Sequence, residues 1–129
     1  MLLSTMRKRT FSTSNRAMQG ISKLTASEHT ALVTPLVQSG WKHTAKTSST
    51  TGKETLQRRF TFPTFSEAFA FMTRVAIAAE KSDHHPEWAN VYNWVDVTLT
   101  THDAGNAVSI RDVRMAEAMN QFAKGLDGK

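Results

Sequence analysis

Residues 64–102 read TFSEAFAFMTRVAIAAEKSDHHPEWANVYNWVDVTLTTH, and this stretch decides the fold. It opens on Thr64-Phe65-Ser66-Glu67, a capping box preceded by Pro63: the threonine oxygen is placed to accept a free amide, and the glutamate to reach back to the cap. Phe65, Ala68, Phe69, Met72, Val75, Ala76 and Ala79 then recur at helical spacing, which predicts a helix from Phe65 to about Lys81 with a wide buried face. Next comes alternation. Val95, Val97 and Leu99 interleave with Asp96, Thr98 and Thr100, so one face of a strand is dry and the other wet. Trp88 to Tyr92 pairs with Trp94 to Thr101 as a hairpin around Asn93.

The same signals appear on both sides. Upstream, Thr25-Ala26-Ser27-Glu28 is another capping box, and Leu32, Val33 and Leu36 give its helix, Glu28 to Gln38, an apolar stripe. Pro35 falls late in this helix and should bend or shorten it, and Ser39-Gly40 ends it. Trp41–Thr44 and Thr55–Phe62 flank the Ser/Thr/Gly/Lys-rich segment 45–53 and read as a hairpin with a mobile tip. Leu56, Arg58, Phe60 and Phe62 share a face. Downstream, Ser109-Ile110-Arg111-Asp112 opens a third helix, with an acid in the first turn where the helix dipole favours it. Val113, Ala116, Met119, Phe122 and Ala123 form its inner face, and Gly125 stops it. The order α-β-β-α-β-β-α predicts an α+β fold: a four-stranded antiparallel sheet with three helices packed on one face.

Composition narrows the function. The 129 residues include no cysteine, which excludes disulfides, thiolate metal sites and cysteine nucleophiles. No stretch is long and apolar enough to span a bilayer, so no membrane partner is expected. The net charge of +5 is uneven. Residues 1–27 hold Arg7, Lys8, Arg9, Arg16 and Lys23 with no acid, whereas the rest balances 11 basic against 11 acidic residues. The folded part is therefore neutral and has no direct nucleic-acid footprint. Residues 1–22 read as a basic extension, and 23–125 as the domain. The Ser/Thr/Arg-rich extension resembles a mitochondrial or plastid transit peptide; otherwise the chain is expected in the cytoplasm.

The chemistry-bearing residues gather after the second helix. His84 and His85 precede Pro86, which pushes His85 towards extended backbone, so the two imidazoles should leave the chain in different directions. His102 follows the last strand. A helix end and a strand end meeting at one rim of the sheet would form a partly open pocket with three imidazoles. Imidazole exchanges protons near neutrality, which suits general acid–base work. Glu80, Asp83 and Asp112 are candidates to orient the rings, while Trp88 and Tyr92 offer flat faces to a planar heterocycle. The plainer readings are a helix-end dipole device for the paired histidines, core packing for Trp88 and Trp94, and ordinary hydrogen bonding for His29 and His43. Three histidines with three carboxylates also raise a metal site, although no His-x-x-x-His helical pair exists.

Taken together, Glu80, His84-His85-Pro86, Tyr92, His102 and Asp112 resemble the signature of the pterin-4a-carbinolamine dehydratases. The words Asp83-His84-His85-Pro86-Glu87-Trp88, Asn90-Val91-Tyr92-Asn93 and Thr98-Leu99-Thr100-Thr101-His102 agree, and the likeness covers about residues 22–124. The resemblance implies a homodimer that extends the sheet, or a homotetramer. The reaction implied is dehydration of 4a-hydroxytetrahydropterin, left by aromatic amino-acid hydroxylases, to quinonoid dihydropterin. No cofactor and no metal are implied, the pterin being the substrate. It makes His84, His85 and His102 the active histidines, with His84 and His102 as the acid/base pair and His85 holding the ring. Asp112 would support the site, Glu80 and Asp83 would tune it, Thr100 and Thr101 would offer backbone contacts, and Trp88 would wall the pocket next to Pro86. Trp94, Asp96 and Ala89 depart from the family's usual residues around the second hairpin. A protein-binding scaffold, coactivator or assembly factor on the same fold is the alternative.

Overall fold

The computed structural model describes residues 20–47 and 52–126. The extension therefore falls largely outside the described residues, as does the tip of the first hairpin. Helix α1 is built of three consecutive pieces: α-helical Ala26–Glu28, π-helical His29–Val33 and α-helical Thr34–Gln38. Strands β1 (Lys42–Thr44) and β2 (Thr55–Thr61) follow, then helix α2 (Phe65–Ser82). Strands β3 (Glu87–Val91) and β4 (Trp94–Leu99) precede helix α3 (Ile110–Lys124). The sheet is antiparallel throughout, in the order β1-β2-β4-β3. This is the expected α+β architecture.

The π-helical turn is where Pro35 acts. Proline has no N–H to give to the carbonyl four residues back, and its ring crowds that carbonyl. The helix widens just before Pro35 instead of stopping, a bulge that relieves the clash while keeping the chain helical. Thr25 caps this helix in a full capping box: Glu28 N–H donates to Thr25 Oγ1 at 3.3 Å, and Thr25 N–H to Glu28 Oε2 at 2.8 Å. At Thr64 the side chain makes no cap to the backbone. Its hydroxyl instead donates to the Glu67 carboxylate, which this bond, above all, holds below the ordinary carboxyl range. The helix forms regardless, because its buried face supplies the stability.

That face is shifted from the one the periodicity suggests. Ala68, Phe71, Val75 and Ala79 are buried, whereas Phe65, Phe69 and Ile77 are 48, 55 and 67 % exposed. The apolar arc of this helix is wider than the face that is buried, so spacing alone leaves its phase open. Phe71 is the anchor, with its ring centroid 4.7 Å from Phe60 and 5.1 Å from Phe62. The inner sheet face (Leu56, Phe60, Val95, Val97, Leu99) meets Val113, Ala116 and Met119 of α3 in one core. Asn120 fastens its edge, its Oδ1 accepting from Trp41 Nε1–H at 2.9 Å and Arg58 Nη1–H at 2.8 Å, so a buried indole N–H is satisfied. On the outer sheet face Arg59 pairs with Asp96 and lies 3.9 Å over the Trp94 ring.

Candidate functional site

The end of α2 places the first two imidazoles. Asp83 adopts a left-handed backbone with φ of 51°, a conformation Asp tolerates better than most residues. Its N–H caps the helix, and the His84 N–H donates back to the Ala79 carbonyl at 3.1 Å. The chain thus reverses, and successive side chains diverge, as expected from Pro86. His84 turns inward and is 7 % exposed, while the His85 side chain stands in solvent. His85 Nε2–H donates to Glu80 Oε2 at 3.0 Å, one helical turn back.

His84 is held by a buried carboxylate. Its Nε2–H donates to Asp112 Oδ1 at 2.7 Å, and Asp112 is fully buried. The other carboxylate oxygen accepts the Thr101 hydroxyl at 2.6 Å and the Ser109 N–H at 2.9 Å. Ser109 and Asp112 together form the capping box of α3. The helix N-terminus and three hydrogen bonds therefore compensate a charge that would otherwise be costly to bury. With Nε2 committed to Asp112, Nδ1 is the ring nitrogen at which His84 could exchange a proton.

His102 lies beyond β4, in a 3-10 turn His102–Ala104. The loop is pinned by the Thr101–Ala107 bridge and closed by left-handed Gly105 and Asn106. Asn106 Oδ1 sits 3.2 Å from His102 Nδ1, which leaves Nε2 for exchange. The structure brings His84, His85 and His102 onto one open cavity of about 290 Å³. Asp83, Thr100 and Thr101 also line it. The Thr100 hydroxyl oxygen itself is buried with no hydrogen-bond partner, so the cavity meets this residue through its other atoms.

Trp88 does not line the cavity. It stands opposite Val97 on the inner side of the sheet and packs against the core, whereas the cavity opens on the side of Glu87 and Thr98. Period-two alternation settles this, since Trp88 and Glu87 must point to opposite faces. Pro86 and Glu80 are also outside the lining, Glu80 acting through His85. Lys53, Glu87, Asp103, Asn106 and Arg111 also line the cavity, and reasoning from sequence misses them. Arg111 has a signal, since it sits in the first turn of the Asp112-capped helix. The Lys53–Glu87 pair at 2.9 Å joins segments 34 residues apart and has none.

His29 and His43 stand apart from the cavity, 3.2 Å from one another through Nε2. Desolvation, and then the positive charge of a protonated His29, pull the His43 pKa down, with Glu54 acting in the opposite sense. The folded state therefore resists protonation there more than the unfolded chain does. The stability this provides is present above the unfolded pKa, about 6.5, and is lost as pH falls below it. Thermal unfolding in chelator should show a midpoint that drops between roughly pH 7.5 and 5.5, and His43→Gln should flatten that drop. Identical slopes for both proteins would remove His43 as the cause.

Among the described residues no helix is long and apolar enough to cross a membrane. The family model described as pterin 4 alpha carbinolamine dehydratase matches residues 22–122. A relative from Bradyrhizobium sp. strain BTAi1, provisionally named a pterin-4-alpha-carbinolamine dehydratase, is 49% identical over 106 residues, covering 82% of this chain and 98% of its own. One from Rhizorhabdus wittichii with the same provisional name is 64% identical over 73 residues, or 57% of this chain and 74% of its own. These relatives are bacterial and lend the transit-peptide reading no support. The crystal structure of a transcriptional coactivator/pterin dehydratase from Brucella melitensis superposes with a TM-score of 0.67 at 45% identity, covering 79% of this chain and 99% of that one. A pterin dehydratase-like RuBisCO assembly factor of the α-carboxysome shares the fold, with a TM-score of 0.53 at 21% identity over 66% of this chain and 90% of its own. The chain belongs to the pterin-4a-carbinolamine dehydratase family.

Proposed function

We propose that this chain dehydrates 4a-hydroxytetrahydropterin to quinonoid dihydropterin and water, recycling the pterin of aromatic amino-acid hydroxylases. The observation that carries this reading is that three imidazoles line one cavity, each with one ring nitrogen tied to an oxygen. A tied ring keeps its orientation and exchanges protons at the other nitrogen. In the reaction the C4a–O bond breaks as a proton reaches the departing hydroxyl, and N5 loses its proton as the C4a=N5 bond forms. His84 takes the N5 proton, and the positive charge it gains lies against the Asp112 carboxylate. His102, open to solvent, delivers the proton to the hydroxyl and is recharged by water. His85 holds the ring at the rim, and Thr100 and Thr101, which line the cavity, offer backbone contacts to the heterocycle's polar edge. This chemistry calls on no metal and no cofactor.

The test is direct. Purified protein is given chemically prepared 4a-hydroxytetrahydropterin, with and without chelator. Loss of water faster than in buffer, unaffected by chelator, is expected. No acceleration would leave the fold to a protein-binding role, such as the coactivator role named for the Brucella protein. Self-association belongs to the same proposal. Phe65, Phe69 and Ile77 expose an apolar stripe on α2, and Val91 and Tyr92 expose another at the end of edge strand β3. Sedimentation should report a dimer or tetramer, and Phe69→Glu should shift it towards smaller species. A wild-type monomer at tens of micromolar would refute this.

A further inference from the structure

His29, His43 and Glu54 come from three elements and meet at one point. His29 opens the π-helical part of α1, His43 is the middle of β1, and Glu54 immediately precedes β2. One ligand atom from each lies within 4.8 Å of the others. The Nε2 atoms of His29 and His43 are 3.2 Å apart, and His43 Nε2 is 3.7 Å from Glu54 Oε2. Ligands about 2.0–2.1 Å from a tetrahedral ion are separated by roughly 3.3–3.4 Å, so the two gaps at His43 lie either side of an edge of such a site. We infer that His29, His43 and Glu54 form a binding site for a divalent transition ion of the zinc class, separate from the reaction cavity.

Three further features support it. Two imidazoles with one carboxylate suit zinc-class ions and not hard ions such as magnesium or calcium, which prefer all-oxygen shells. Glu54 is pre-positioned: its Oε1 accepts the Val108 N–H at 2.8 Å, and its own N–H donates to the Asn106 carbonyl at 2.8 Å, so Oε2 is left towards His43. Support of this kind for a ligating carboxylate is what metal sites use to fix their ligands. All three residues are half-buried, which shields the ion yet lets water fill the fourth position.

The test uses the full chain, stripped with chelator and titrated with Zn²⁺ against a chromophoric competitor, and separately with Co²⁺ as a coordination probe. One equivalent should bind with a Kd of about 10⁻⁶ M or tighter, and Co²⁺ should show the intense visible bands of a tetrahedral site. His29→Ala and His43→Ala should each weaken Zn²⁺ at least about tenfold, while His84→Ala and His102→Ala leave it unchanged. If a variant fails to fold, imidazole NMR of the wild type decides, with Zn²⁺ expected to perturb His29 and His43. Equal binding by wild type and His29→Ala, loss through His84→Ala or His102→Ala, or no binding tighter than about 10⁻⁴ M would overturn the inference.

Discussion

Asp112→Ala is expected to lower stability by about 3–5 kcal/mol. The carboxylate is fully buried and accepts from His84 Nε2–H, Thr101 Oγ1–H and Ser109 N–H. Alanine leaves His84 Nε2–H and Ser109 N–H without their acceptor and the Thr101 hydroxyl with only Ser109 Oγ, 2.6 Å away, and each buried donor left unpaired costs about 1–3 kcal/mol. It also removes half of the α3 capping box. For a domain of about 100 residues this corresponds to a fall in Tm of roughly 15 °C or more. Asp112→Asn keeps two acceptor sites on one oxygen and should lose less. Thermal denaturation followed by circular dichroism measures both, and an Asp112→Ala midpoint within about 3 °C of wild type would contradict the hub role.

The second large effect is on rate alone. His102→Ala should lower turnover by about 10²–10⁴-fold, equivalent to roughly 3–5 kcal/mol in the barrier. The same variant should unfold within about 0.5 kcal/mol of wild type, because His102 is exposed and sits in a surface turn. The loop keeps its shape through backbone bonds: Thr101 N–H to the Ala107 carbonyl at 2.9 Å, and Gly105 N–H to the His102 carbonyl at 3.0 Å. Initial rates on 4a-hydroxytetrahydropterin, corrected for spontaneous loss of water, provide the measurement. Unchanged turnover in a folded protein would take His102 out of the mechanism, and His84→Ala would then become the decisive variant.

Most of the architecture is legible in the residues because local signals and burial agree. The Ser109 capping box, the alternation of Val95, Val97 and Leu99, and the turn around Asn93 each carry their structure in a few adjacent positions. The phase of α2 is not legible. Ser66, Glu67, Thr73, Arg74, Glu80 and Lys81 mark an outer side, but Phe65, Phe69, Met72 and Ala76 carry the apolar arc well past the buried face, and packing against Phe60 and Phe62 selects Phe71. The site divides along the same line. The inward and outward turns of His84 and His85 follow from Asp83 and Pro86, both local. The partners that complete the cavity, Lys53 with Glu87 and His102 with Asn106, depend on how loops close over the sheet end. The exclusion of Trp88 follows from strand alternation, but a prominent ring beside a histidine pair draws the eye away from parity.

The carboxylate that steadies His84 also begins a helix, so under the proposed reaction a single group serves both catalyst and scaffold. Fraying of the first turn of α3 would unseat the inner imidazole while the sheet behind it stayed whole. Warming should therefore silence the protein before it melts it, and lost turnover would act as an early gauge of disorder confined to one end of one helix.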